Sequence, residues 1–136
     1  TTFQAEMTDF VSALGAELES KSGKVSTAEA LEGKRYVMLY FSAHWCPPCR
    51  GFTPVLAEKF KASAEEKQIA VVFVSSDRDA ASFAEYYGTM PWLAIPPWLT
   101  ASTRRCAMAR CSSMSRRAVR TPASTASLWV SPLCRL

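Results

Sequence analysis

The chain has 136 residues, 49% of them hydrophobic, with five cysteines and a formal net charge of +4. That length supports one domain around one core, the composition excludes a wholly disordered chain, and the odd cysteine count argues against a disulfide-stapled secreted scaffold. The charge is unevenly placed: residues 1–96 carry nine Lys/Arg against twelve acids, whereas residues 97–136 carry seven Arg and no acid.

In chain order, Met7, Phe10, Val11, Leu14 and Leu18 recur at helical spacing and predict a helix over 7–18. Ser20–Lys24 reads as a polar loop, and Leu31-Glu32-Gly33-Lys34 as a turn. The dense apolar run Arg35–Ser42 predicts a buried strand. A helix should follow from Pro47 to about Glu65, burying Phe52, Val55, Leu56 and Phe60, with Pro54 as a kink. Ile69–Ser75 predicts a second buried strand. Asp77 or Asp79 would cap a helix running to about Met90. Two strands joined by a helix should be parallel with a right-handed crossover. The ligand edge of such a unit lies beyond the carboxyl end of the strand, where Cys46 falls. Met90–Pro97 reads as a proline-broken apolar turn. Ser, Arg and Ala make up twenty of the last forty residues, where only Ser127–Val130 suggests a strand.

The chemistry concentrates in Trp45-Cys46-Pro47-Pro48-Cys49-Arg50. Two thiols separated by two residues can close a disulfide, and a thiolate at a helix start is stabilised by unpaired N–H groups and the positive end of the dipole. Pro47 and Pro48 suit early helical positions, which lack intrahelical partners for an N–H, and they stiffen the ring between the sulfurs. Cys46 is expected to be the exposed attacking thiol and Cys49, one turn further in, the buried resolving thiol. Trp45 would form an apolar platform beside the sulfur, with simple packing as the alternative, and Arg50 would add positive charge. His44, the single histidine, reads as an exposed loop residue before it reads as a proton carrier. Half of a zinc site is the competing use of Cys46 and Cys49. The other available ligands are His44, Cys106, Cys111 and Cys134, and none has standard spacing. Arg50 stands where covalent haem attachment needs histidine. No metal and no bound cofactor are therefore expected.

The segment Tyr40–Pro54, with Val71–Asp77 and Met90–Pro96, resembles the tryparedoxin and nucleoredoxin branch of the thioredoxin-like superfamily. The resemblance covers residues 25–96 well and the N-terminal helix loosely. It implies an α/β thioredoxin-like fold, a central mixed sheet flanked by helices. It also implies a protein-disulfide reductase cycling through a redox-active Cys46–Cys49 disulfide. The electron donor would be a low-molecular-weight dithiol or a reductase, and the acceptors protein disulfides such as those of peroxidases. Tyr40 occupies the place where thioredoxins carry a buried aspartate, so proton handling at Cys49 must differ.

The resemblance stops at the tail. The branch continues with an Ile-Pro-Thr-type segment, a hairpin and a final helix, and Thr121-Pro122-Ala123 is the nearest candidate for the first of these. The expectation is thus a thioredoxin-like domain over 1–96 and an atypical Arg/Ser/Ala-rich tail over 97–136, disordered or read from a shifted frame, leaving the C-terminal part of the fold incomplete or atypical. An arginine tail binds phosphate non-specifically, but no groove-reading motif accompanies it, so nucleic-acid binding is not expected. With no signal-peptide pattern at Thr1–Glu6 and no apolar run long enough for a bilayer, a monomeric cytoplasmic or nuclear protein without a membrane partner is expected. The alternatives are a redox-sensitive binding module with little turnover, and an inactive, truncated thioredoxin-like product.

Overall fold

The computed structural model describes residues 11–99 and 129–130. In chain order come β1 (Glu17–Ser20), β2 (Gly23–Ser26), the short α1 (Thr27–Leu31), β3 (Tyr36–Ser42), α2 (Pro47–Ser63), β4 (Ile69–Ser75), α3 (Ala80–Gly88), β5 (Leu93–Ala94) and β6 (Trp129–Val130). The strands form one mixed sheet in the order β2-β1-β5-β4-β3-β6. β4 runs parallel to both β3 and β5, and β6 runs parallel to β3. β1 is antiparallel to β2 and to β5.

The two central strands pair from Tyr36↔Ile69 to Ser42↔Ser75, and their side chains alternate between faces, as strand geometry requires. Val37, Leu39 and Phe41 join Ala70, Val72 and Val74 on one face, with Leu14, Leu18, Leu31 and Ile95. Tyr40, Val71 and Phe73 lie on the other, against Phe83, Tyr86 and Tyr87 of α3 and against Leu56, Ala57 and Phe60 of α2. α2 and α3 therefore cover the same face. Phe73, fully buried, anchors that side. Its ring stacks 5.9 Å from Phe83 and meets Tyr86 edge-on at 5.6 Å, geometries that aromatic quadrupoles favour.

Several sequence expectations need correction. The helix predicted over 7–18 ends at Leu14, and its first four residues lie outside the described residues. Gly15 takes φ +93 and turns the chain, so Leu18 is buried from strand β1 instead. The Leu99 side chain lies 3.1 Å from where a Cβ on Gly15 would sit, so a larger residue would crowd Leu99 as well as strain the backbone.

Ser20–Lys24 is the tip of a β-hairpin, with Lys21 and Ser22 between the paired Ser20 and Gly23. Lys21 Nζ donates to the carbonyl oxygens of Tyr87 (2.6 Å) and Gly88 (3.2 Å) at the C-terminus of α3, where a cation is favoured. The residues before the Leu31–Lys34 turn form α1, which periodicity did not reveal in so short an element.

In α2, Phe52 and Val55 are 38% and 50% exposed rather than buried. Burial of Cys49 sets the helix rotation: Thr53, Leu56 and Phe60, at four, seven and eleven residues on, follow it inward. Asp79, not Asp77, caps α3, accepting from the Ser82 N–H at 2.8 Å. The Met90–Pro97 turn contains a strand, β5, which links β4 to β1. Of Ser127–Val130, the last two residues form β6. Residues 100–128, Thr121-Pro122 included, and 131–136 lie outside the described residues.

Replacing Phe73 by alanine should lower unfolding free energy by about 3–5 kcal/mol, since the cavity falls where four aromatic rings meet. Urea denaturation of the oxidised protein checks this, and a loss below about 1 kcal/mol would mean that the cluster does not pack as described.

Candidate active site at the end of strand β3

β3 delivers the chain to Ser42 in the sheet interior, and Ala43 remains fully buried. The chain then turns through His44 and Trp45, with the Cys46 N–H donating to the Ala43 carbonyl at 3.2 Å. Cys46 is the N-cap of α2, in extended geometry, and Pro47 and Pro48 fill the first two helical positions. The Arg50 N–H donates to the Cys46 carbonyl at 3.1 Å, the first bond of the helix. Prolines carry no N–H, so Cys49 supplies the first amide donor of α2. Cys46 and Cys49 are joined by a disulfide with their Cα atoms 5.3 Å apart. The pair is asymmetric: Cys49 is 1% exposed, whereas Cys46 is half-buried at the mouth of the helix.

Trp45 is 64% exposed, and its Nε1–H donates to the Ser76 carbonyl at 3.3 Å. The indole is thus held by its polar edge while most of its surface faces solvent beside Cys46. Pro47, Pro48 and Arg50 are exposed around it. His44 lies in the loop, as expected from sequence, but is half-buried there and partnered. Its N–H donates to Asp77 Oδ1 at 2.8 Å, its Nε2 lies 3.7 Å from the Glu85 carboxylate, and its ring meets Tyr86 edge-on.

Asp77 was read from sequence only as a candidate cap. It is buried, and its Oδ2 accepts from the Ser75 hydroxyl at 2.8 Å while its own N–H donates back to Ser75 Oγ at 2.9 Å. Together with Ser76 N–H to the Ser42 carbonyl at 2.9 Å, these bonds lace the β4–α3 loop to the segment that presents Cys46.

A second group also went unread. Beneath Cys49, the hydroxyls of Tyr40, Ser42, Thr53 and Tyr86 form a buried hydrogen-bonded chain. Thr53 Oγ1 donates to the Cys49 carbonyl at 2.9 Å. Burial pushes the Tyr86 hydroxyl up to about 12, so it keeps its proton at any physiological pH. The single sequence clue was the four-residue spacing of Thr53 from Cys49. Among the described residues no group of three or more His, Cys, Asp or Glu side chains is placed to hold a metal. Cys106, Cys111 and Cys134 lie outside the described residues. Among the described residues no helix is long and apolar enough to cross a membrane.

A Cys-x-x-Cys disulfide at the start of the helix that follows a central strand defines a thioredoxin-like redox protein. The comparisons agree: a family model described as thioredoxin-like matches residues 33–109, and the chain belongs to that family. It is 57% identical over 79 residues to a tryparedoxin of Trypanosoma brucei brucei, covering 58% of this chain and 54% of that protein. It is 46% identical over 88 residues to a nucleoredoxin of Danio rerio, covering 64% of this chain but 21% of that protein. The matched region thus spans about half of the first relative and a smaller share of the second. The crystal structure of tryparedoxin I from Crithidia fasciculata superposes with a TM-score of 0.67 at 38% identity, covering 74% of this chain and 69% of that one. The sheet flanked by helices implied by the sequence resemblance is therefore present.

Asp77→Ala should strip the His44 amide of its buried acceptor and lower stability by about 1–3 kcal/mol. The His44 amide should then exchange with deuterium faster than in the parent. Unchanged protection at that amide would show that Asp77 does not hold the loop.

Proposed function

We propose that this chain is a protein-disulfide reductase working through Cys46 and Cys49. The observation that carries the reading is the asymmetry of the pair, one sulfur at an open helix start and the other sealed beneath it. Cys46 meets the conditions for the attacking thiolate: the helix dipole favours negative charge there, and the Cys49 amide is the nearest helical donor. Its sulfur attacks one sulfur of a substrate disulfide. That S–S bond breaks, the displaced substrate sulfur leaves as a thiolate and takes up a proton, and a mixed disulfide with Cys46 remains. Cys49 then loses its proton and attacks the Cys46 sulfur. The second substrate sulfur leaves, and the Cys46–Cys49 disulfide closes with two electrons delivered to the substrate.

Each surrounding residue has a part in this reading. Exposed Trp45 supplies an apolar platform for a substrate segment, and Pro47 and Pro48 keep the dithiol ring stiff. Arg50 adds positive charge where a departing thiolate forms. No bound cofactor or metal takes part. An external thiol restores the dithiol, either a low-molecular-weight dithiol or a reductase, and protein disulfides such as those of peroxidases accept the electrons. The likeness to tryparedoxins supports both assignments. Work as a monomer in the cytoplasm or nucleus, where glutathione and thioredoxin systems keep thiols reduced, completes the proposal.

Insulin reduction in dithiothreitol tests it. The parent chain should accelerate precipitation, Cys46→Ser should remove the acceleration to background, and Cys49→Ser should accumulate mixed disulfides visible by mass spectrometry. Full turnover in Cys46→Ser would overturn the assigned roles. A parent that binds protein disulfides but does not turn them over would point instead to a redox-sensitive binding module.

A further inference from the structure

We propose that Tyr86 is a positioning residue for Cys49, acting through Thr53, and that this contact biases the cysteine pair toward its disulfide form. The inference rests on the reading of Cys46 and Cys49 as a reversible pair. Three elements meet at the contact: Ser42 from the end of β3, Thr53 from the second turn of α2 and Tyr86 from α3. Ser42 Oγ lies 2.7 Å from Tyr86 Oη, which lies 2.6 Å from Thr53 Oγ1. Tyr40 Oη sits 3.0 Å from Thr53 Oγ1 and 3.4 Å from the Cys49 carbonyl oxygen.

Each hydroxyl has one proton to donate. With Thr53 donating to the Cys49 carbonyl, Tyr40 and Tyr86 can each donate to Thr53 and Ser42 to Tyr86, an arrangement that gives every hydroxyl of the chain a partner. Ser42, Thr53 and Tyr86 are each at most 3% exposed, so water cannot replace a lost partner there, and a broken link leaves buried polar atoms unpaired.

The clamp acts on the dithiol equilibrium through geometry. The disulfide holds the two Cα atoms 5.3 Å apart. On reduction the sulfurs separate to van der Waals contact, and the first turn of α2 is freed to shift or rotate with them. A turn anchored at the Cys49 carbonyl has less freedom to gain, so less entropy is lost when the ring closes. Releasing the anchor should therefore favour the dithiol.

The test equilibrates the full chain with glutathione buffers of graded ratio and counts free thiols by alkylation and mass spectrometry. Tyr86→Phe and Thr53→Val should each shift the equilibrium toward the dithiol about tenfold, equivalent to about 30 mV for a two-electron couple. Thr53→Ser, which keeps the hydroxyl, should return it to within about threefold of the parent. Tyr87→Phe is the control. Its hydroxyl lies 2.9 Å from the carbonyl oxygens of both Glu19 and Trp92, either of which can accept its proton, on the same helix but away from the chain. It should lower the melting temperature while leaving the redox equilibrium in place. An unchanged equilibrium in Thr53→Val, or an equal shift in Tyr87→Phe, would overturn the inference. A parent disulfide that glutathione cannot open would instead overturn the reading of the pair as reversible.

Discussion

Because Cys49 is turned beneath the helix start while Cys46 stays at its mouth, one disulfide has two chemically different ends. That difference sets much of the surrounding structure. Cys49 fixes the rotation of α2, drawing Thr53, Leu56 and Phe60 toward the sheet and leaving Phe52 and Val55 in solvent. The same rotation brings Thr53 within reach of Tyr40 and Tyr86. Thioredoxins place a carboxylate beneath the second cysteine, whereas this chain has Tyr40 there, and its buried polar group consists of neutral hydroxyls. A neutral chain avoids the desolvation cost of a buried charge, and the high Tyr86 value keeps it neutral.

The loop around Cys46 is held by a separate set of bonds. Asp77 accepts from His44, Ser76 accepts from Trp45 and donates to Ser42, and all of them come from the chain that leaves β4. Parallel pairing of β3 and β4 puts both carboxyl ends at one edge of the sheet, so the second strand delivers residues that pin the loop following the first. The reactive segment can then be open to a large substrate without being loose, the requirement for a site built on a loop and a helix terminus.

Sequence made the core of this arrangement legible and its margins much less so. The runs Tyr36–Ser42 and Ile69–Ser75 declare themselves as buried strands, and the cysteine spacing with its two prolines declares the helix start. The N-terminal region misled because Leu18 falls at helical spacing from Leu14 by coincidence; Gly15 breaks the helix, and tertiary packing buries Leu18 from a strand. Phe52 and Val55 misled because periodicity gives a helix an apolar face but not its absolute rotation, which Cys49 decides. Asp77, Thr53 and Tyr86 were unreadable as a group, since their partners on other elements lie 13 to 44 residues away along the chain. Such contacts exist only once the sheet has formed.

The pH dependence of alkylation measures the inequality of the two sulfurs directly. The reduced protein would be treated with iodoacetamide across pH 5–10, and modification at Cys46 and Cys49 followed separately by peptide mass spectrometry. The structure predicts that Cys46 reacts first, with a thiolate titrating below the ~8.5 of a free thiol, and that Cys49 stays protected until the protein unfolds. Equal rates at the two positions, or an ordinary thiol titration at Cys46, would contradict it.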